Sequence, residues 1–185
     1  MRFLKDRKEQ ILAAALATLR EHGANRFTQA RVAARAGLRQ SHLTYYFGTR
    51  LALLKAVARV AIDEQFAAMD KVLAGATLHS VAKALADISV RQDGTRVLLA
   101  LVQAADQDPA LRELFRELAE GIALRMERFL KRLNVLATQQ HAHLLYALCV
   151  GLATVDLATR RPRSKHRGAA ILETTFSLMT AKAKA

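Results

Sequence analysis

Apolar residues recur along this chain with helical spacing, and no stretch shows the two-residue alternation of β-branched and polar positions that marks a half-buried strand. Ile11, Leu12, Ala15, Leu16 and Leu19 share one face of a first helix, about 5–22, that stops before Gly23. Two short helices, about 28–36 and 40–46, flank Gly37-Leu38-Arg39. A long helix from about Thr49 to Leu73 carries Leu51, Leu54, Ala58, Ile62, Phe66, Met69 and Leu73 on one side. Gly75 ends it, and Thr77 caps the next, about 78–91. Asp93-Gly94-Thr95 reads as a turn and cap, followed by a run, Val97 to Val102, apolar all round as in a helix buried on every side. Asp108-Pro109 is a strong helix start, with Asp as N-cap and Pro in the first position. Leu111, Leu114, Phe115, Leu118, Ile122, Met126, Phe129 and Leu133 then form a stripe opposite charged residues, and helices of about 137–159 and 166–181 complete the chain. The pattern predicts an all-α protein of about nine helices.

Composition narrows the class. With 52% hydrophobic residues, two prolines and eight glycines among 185, the chain has the means to bury a core and is no disordered segment. Lys and Arg number 29 against 16 Asp and Glu, a net charge of +13 that favours an anionic partner. The excess is uneven. Residues 1–60 carry a net +9, residues 61–159 a net −2, and Arg160 to Arg167 alone +5. The first third is therefore the predicted nucleic-acid-binding module. The single cysteine, Cys149, excludes an intramolecular disulfide and suits a reducing compartment. Met1 to Asp6 lacks the apolar run of a signal peptide, and the uncharged stretch Leu144 to Val155 is too short to span a bilayer. The expectation is a cytoplasmic protein with no membrane partner.

Residues 28–47 carry the decisive motif. Val32, Leu38, Leu43 and Phe47 are spaced to pack two short helices against the first, and Ala33 allows close approach. Gly37, four residues after Ala33, supplies the positive φ that a tight turn requires. The second short helix then exposes Gln40, Ser41, His42, Thr44 and Tyr45, whose hydrogen-bonding groups suit base edges or phosphates in a major groove. This is the anatomy of a helix-turn-helix. For Tyr45 and Tyr46 the alternative is packing in the bundle, and for His42 simple exposure to solvent.

Phe27-Thr28, Val32-Ala33, Ala36-Gly37-Leu38, Leu43, Tyr46-Phe47, Arg50 and Leu53-Leu54 together resemble the signature of the tetracycline-repressor (TetR) family of bacterial transcription regulators. The resemblance covers about a third of the chain. It implies an all-α fold, with a three-helix helix-turn-helix DNA-binding domain over 1–48 and a helical effector-binding and dimerisation domain over 49–185. It places the recognition helix on Gln40 to Tyr46. It implies phosphate contacts by Tyr46 and Arg50, and by Thr28, the cap of the preceding helix. Arg39, Ser41 and Thr44 depart from the family's usual Ser, Gly and Tyr, which leaves the target sequence open; Arg39 stands near enough to the groove for phosphate or guanine.

In the remaining two-thirds, the eighth helix is apolar nearly all round, so one side can face its own domain and the other a second copy. Leu145, Leu148, Gly151, Leu152 and Val155, with Ile171, Leu172, Thr175, Phe176 and Met179 of the ninth helix, are the predicted dimer interface, where the family also dimerises. Phe66, Met69, Leu101, Phe115, Ile122, Met126 and Tyr146 are candidate lining for an effector pocket, and equally plain core. Nothing signals catalysis, a metal or a cofactor. His141 and His143 are two apart, on nearly opposite helix faces, and Cys149 sits among aliphatic residues as a small hydrophobe. The reading is a homodimeric, ligand-responsive repressor that binds a near-palindromic site in double-stranded DNA and an unidentified small molecule. The alternatives are a ligand-independent architectural DNA binder, and a helical enzyme or carrier with a basic docking face.

Overall fold

The computed structural model describes residues 2–74, 76–133 and 138–181. Among them nine α-helices form and no strand: α1 (Arg2–His22), α2 (Gln29–Arg35), α3 (Gln40–Tyr46), α4 (Arg50–Leu73), α5 (Leu78–Ser89), α6 (Gln92–Ala105), α7 (Pro109–Arg132), α8 (Gln139–Thr159) and α9 (Ser164–Ala181). A single 3-10 turn, Ala24–Arg26, links α1 to α2. Caps appear where the sequence puts them. The Thr77 hydroxyl accepts from the Ser80 amide at 3.2 Å, and an Asp108 carboxylate oxygen accepts from the Leu111 amide at 3.0 Å. His141 serves α8 as a cap: its Nδ1 accepts the Thr138 amide at 3.0 Å. Gly75, the expected end of α4, lies outside the described residues.

Two expectations for α6 are corrected. Asp93-Gly94 is no turn but part of the first turn of α6, which opens at Gln92. Asp93 suits the positive end of the helix dipole there, and burial of Val97, Ala100, Leu101 and Ala105 outweighs the roughly 1 kcal/mol that a helical glycine costs. Nor is the run Val97 to Val102 buried all round. Leu99 and Val102, three residues apart on one face, are exposed.

The packing divides into two units. The first comprises Met1–Glu64 with Arg96–Phe115, the second Gln65–Thr95 with Arg116–Ala185. The reason is visible in the first unit's core. Ile11, Leu16, Leu19, Phe27, Val32 and Leu43 from the N-terminal helices share one cluster with Leu53, Leu54 and Val57 of α4 and with Val97, Leu101 and Leu111. Polar ties follow the same lines: Arg20 pairs with Glu64, Arg96 donates to the Arg20 carbonyl at 3.2 Å, and Lys55 lies 2.8 Å from Asp108.

In the second unit α5 packs on α8 and α9, and Leu118, Ile122, Met126, Phe129 and Leu130 of α7 are buried. Gly121 lets the Phe66 ring lie against α7, where a Cβ would stand 2.3 Å from the ring, and the Arg125 guanidinium covers that ring at 4.1 Å from its centroid. Arg125 also grips Asp70, with Nε 2.8 Å from Oδ1. Burial against this unit pushes the Cys149 thiol up to about 11, partly opposed by a hydrogen bond with Ser89, so the thiol stays neutral at physiological pH.

The Lys55 ammonium, and then the Leu111 amide, hold the Asp108 carboxyl below its ordinary range. A depressed folded-state value means stabilisation present at neutral pH and lost as pH falls through and below about pH 4. Urea midpoints measured from neutral pH down to about pH 3 should therefore fall less steeply for Asp108→Asn than for the parent chain. Parallel curves would exclude the pair as an acid-sensitive tie.

Candidate nucleic-acid interface

The helix-turn-helix is built from local rules. Thr28 begins α2 by accepting the Arg31 amide on its hydroxyl at 3.2 Å. The helix closes with a doubly bonded turn: the Leu38 amide reaches the Ala33 carbonyl at 2.9 Å and the Gly37 amide reaches Ala34 at 3.1 Å. Gly37 sits at φ 65°, and no atom lies within 4 Å of where its Cβ would be, so conformation and not space demands glycine. Leu43 and Phe47 then anchor α3 in the core. Gln40, Ser41, His42, Thr44 and Tyr45 remain exposed, Tyr45 to 80%. Tyr46 is half-buried and meets the Tyr45 ring edge-on at 5.3 Å, so it both packs and borders the surface. The Thr44 hydroxyl donates to the Gln40 carbonyl at 2.9 Å, which leaves its lone pairs outward. Arg39 precedes α3 without capping it by side chain, and points its charge to solvent.

Three other side chains hold this arrangement, and two of them escaped the sequence reading. Gln10 of α1 donates to the Ala36 carbonyl at 2.8 Å, and Gln29 of α2 donates to the Phe47 carbonyl at 2.6 Å, just past α3. A glutamine on a helix carries no sequence signal for such a task. Arg50 is the third. Its Nε lies 2.8 Å from the Phe27 carbonyl and an Nη 3.2 Å from the Ala24 carbonyl. The surrounding charge is positive but not uniformly free. Glu21 takes Arg35 at 2.6 Å, and that hydrogen bond holds its carboxyl below the usual range. Arg31 and Arg39 are exposed, and Arg31 adds its charge to the field that lowers the Glu21 carboxyl.

The family comparison bears directly on this surface. Residues 11–57 match the model for bacterial regulatory proteins of the tetR family, and residues 73–178 match the tetracyclin repressor-like C-terminal domain, which is more than half of the chain. The chain belongs to the tetR family. It is a DNA-binding transcriptional regulator. Solved structures agree on the fold of this tetR-family protein. A transcriptional regulator from Rhodococcus sp. Rha1 matches with a TM-score of 0.81 at 20% identity, over 93% of this chain and 95% of that one. A protein of Streptomyces coelicolor A3(2), described as a transcriptional regulator, matches at 0.69 and 27% identity, over 91% and 97%. One from Saccharomonospora viridis, in complex with choline, matches at 0.77 and 18% identity, over 94% and 96%. Comparison with curated proteins gives no match.

The expected body residues of this tetR-family chain separate. Leu101 and Phe115 belong to the first unit, whereas Phe66, Met69, Ile122, Met126 and Tyr146 belong to the second. Met69, Ile122 and Met126 are buried as core; Tyr146 is half-buried, which raises its hydroxyl above the ordinary value. A small pocket in the second unit lies elsewhere, lined by Ser89, Leu152, Val155, Asp156, Arg161 and Arg167 among others. The residues expected at the interface also separate by exposure. Leu145, Leu172, Phe176 and Met179 are buried within the chain itself and have almost no surface to offer a partner. Leu148, Leu152 and Thr175 are half-buried, while Gly151, Val155 and Ile171 are exposed, and so are Leu144 and Leu178, which the periodicity missed. Finally, α8 contains an 18-residue stretch of mean hydropathy 1.5, long and apolar enough to cross a membrane by length and composition alone.

Replacing Gly37 by Ala leaves the turn sterically open but forces a side chain into the left-handed region. Urea unfolding should show a loss of about 1–2 kcal/mol. No loss would mean that the turn relaxes to another conformation.

Proposed function

We propose that this tetR-family regulator is a homodimeric, one-component repressor of the cytoplasm. It reads a near-palindromic duplex with two copies of α3 and is released by a small-molecule effector, and it catalyses no reaction. The observation that carries the reading is α3 itself: a helix anchored by Leu43 and Phe47, with five polar side chains facing outward from the most basic third of the chain. A major groove about 12 Å wide admits one such helix, and a two-fold pair would engage half-sites about one helical turn apart.

The dimer reading is supported by the outward faces of α8 and α9. Leu144, Gly151 and Val155 fall on one face of α8, and Ile171 and Leu178 on one face of α9. A second copy covering them explains why α8 is apolar on both sides while Ala142, Leu145 and Ala153 pack inward. The choline complex of the Saccharomonospora relative supports a small organic effector as ligand class. Such a ligand would act by favouring dimers whose heads do not fit the operator.

Selection of bound duplexes from a random library, at near-physiological salt, should enrich an inverted repeat. Weak, salt-sensitive binding with no enriched sequence would instead indicate an architectural binder. With the enriched duplex in hand, Gln40→Ala should relax the choice at one base position and cost about 1–3 kcal/mol there. Equal losses on selected and random DNA would remove Gln40 from base readout. Val155→Glu buries a charge in the proposed interface and should shift sedimentation from dimer to monomer; an unchanged dimer would place the interface elsewhere.

A further inference from the structure

We propose that the cavity between α5, α8 and α9 binds a small zwitterion of the α-amino-acid type, its ammonium on Asp156 and its carboxylate on Arg161 and Arg167. The proposal gives a site and a ligand class to the small-molecule effector, and rests on that reading only for its effect on DNA.

Asp156 is the one charged side chain of α8 apart from the histidines. It lines the cavity, and its Oδ1 is buried with no hydrogen-bond partner among the described residues. A buried carboxylate oxygen left in that state is costly, and a cationic donor offsets the cost best. The neighbouring arginines are turned to other tasks or to none. Arg167 donates from one Nη to the Pro162 carbonyl at 2.8 Å and from the other to the Ser164 hydroxyl at 3.0 Å. Ser164 in turn donates to the Arg161 carbonyl at 2.6 Å. These bonds tie down a loop in which Arg160 and Arg163 take left-handed φ values of 44° and 60°. They use two of the five donors of the Arg167 guanidinium, and the Arg161 side chain is unpaired among the described residues. The cavity thus gathers an unmatched negative oxygen from α8 and unmatched cationic donors from the loop and α9.

A ligand carrying both charges matches both sets, whereas one carrying a single charge leaves the other set unanswered. Size agrees. The cavity volume is about 60 Å³. At about 10–15 Å³ for each water-sized occupant, that holds roughly four to six non-hydrogen atoms, the size of an amino-acid head group. Ser89, 6% exposed, adds a buried hydroxyl, and Val90, Leu152 and Val155 add apolar contact. Val155 also belongs to the proposed dimer face, so occupancy bears on how a second copy seats.

Calorimetry on the free chain, without DNA, compares glycine, L-alanine and L-leucine with ethylamine and propionate, which carry one charge each. At least one amino acid should bind once per chain, about tenfold or more tighter than either single-charge compound. Asp156→Asn should weaken that binding about tenfold or more. It should also leave the melting temperature of the ligand-free chain unchanged or raised, because an amide costs less to bury than an unpaired carboxylate. A lowered melting temperature would make Asp156 a structural group and overturn the proposal. Arg161→Gln, at an exposed loop position, is the second variant: amino-acid binding should fall while ethylamine binding stays. Absence of saturable binding by any of the amino acids up to about 10 mM overturns the site, as does ethylamine binding equally well. Binding without release of the selected duplex keeps the site and ends only the effector reading. Release by another small molecule, with no amino acid bound, removes the site and leaves the repressor reading intact.

Discussion

A helix of seven residues does not persist in water, because nucleation costs more than so few hydrogen bonds return. Both α2 and α3 have that length, and α3 is the proposed DNA-reading element. Their existence therefore depends on burial of one side: Val32 and Ala33 from α2, Leu43 and Phe47 around α3, all at 5% exposure or less. The cluster that receives them extends past the N-terminal helices into α4, α6 and the start of α7. This is why the first unit reaches beyond a three-helix head. A short recognition helix presents polar groups accurately only when something larger holds its back.

Electrostatics follows the same division of labour. The basic excess of the first third is not all offered to a ligand. Arg35 is taken by Glu21 and Arg20 by Glu64, while Arg31 and Arg39 keep their charges outward. A net charge counts what could attract an anion, and hydrogen bonds decide which groups remain to do so. The field still favours association with a polyanion, since a paired or carbonyl-bound guanidinium does not lose its charge.

The last two helices pose a different physical problem. A helix apolar on all sides must be covered on all sides, or it exposes a patch that soluble proteins avoid. The chain covers the side carrying Ala142, Leu145 and Ala153, and leaves Leu144, Gly151 and Val155 open. The proposed two-fold partner would resolve the conflict without a new sequence, because each copy would supply the surface the other lacks.

Periodicity, caps and Gly37 were enough to read nine helices, the helix-turn-helix and the exposed Gln40, Ser41, His42, Thr44 and Tyr45, because each depends on residues within a few positions of one another. The same local reasoning read Thr77 and Asp108 correctly as caps. It failed where the outcome depended on distant chain. Asp93-Gly94 is helical because residues downstream are buried, and Leu172 and Phe176 point inward because α5 packs on α9. Gln10, Gln29 and Arg50 could not be recognised as braces, since their acceptors lie 26, 18 and 23 residues away. Sequence alone determined which segments are helices and which short helix is polar outside. Tertiary structure decided which side of each helix is covered and which charges are already occupied, because burial and hydrogen bonding are set by neighbours that only folding brings together.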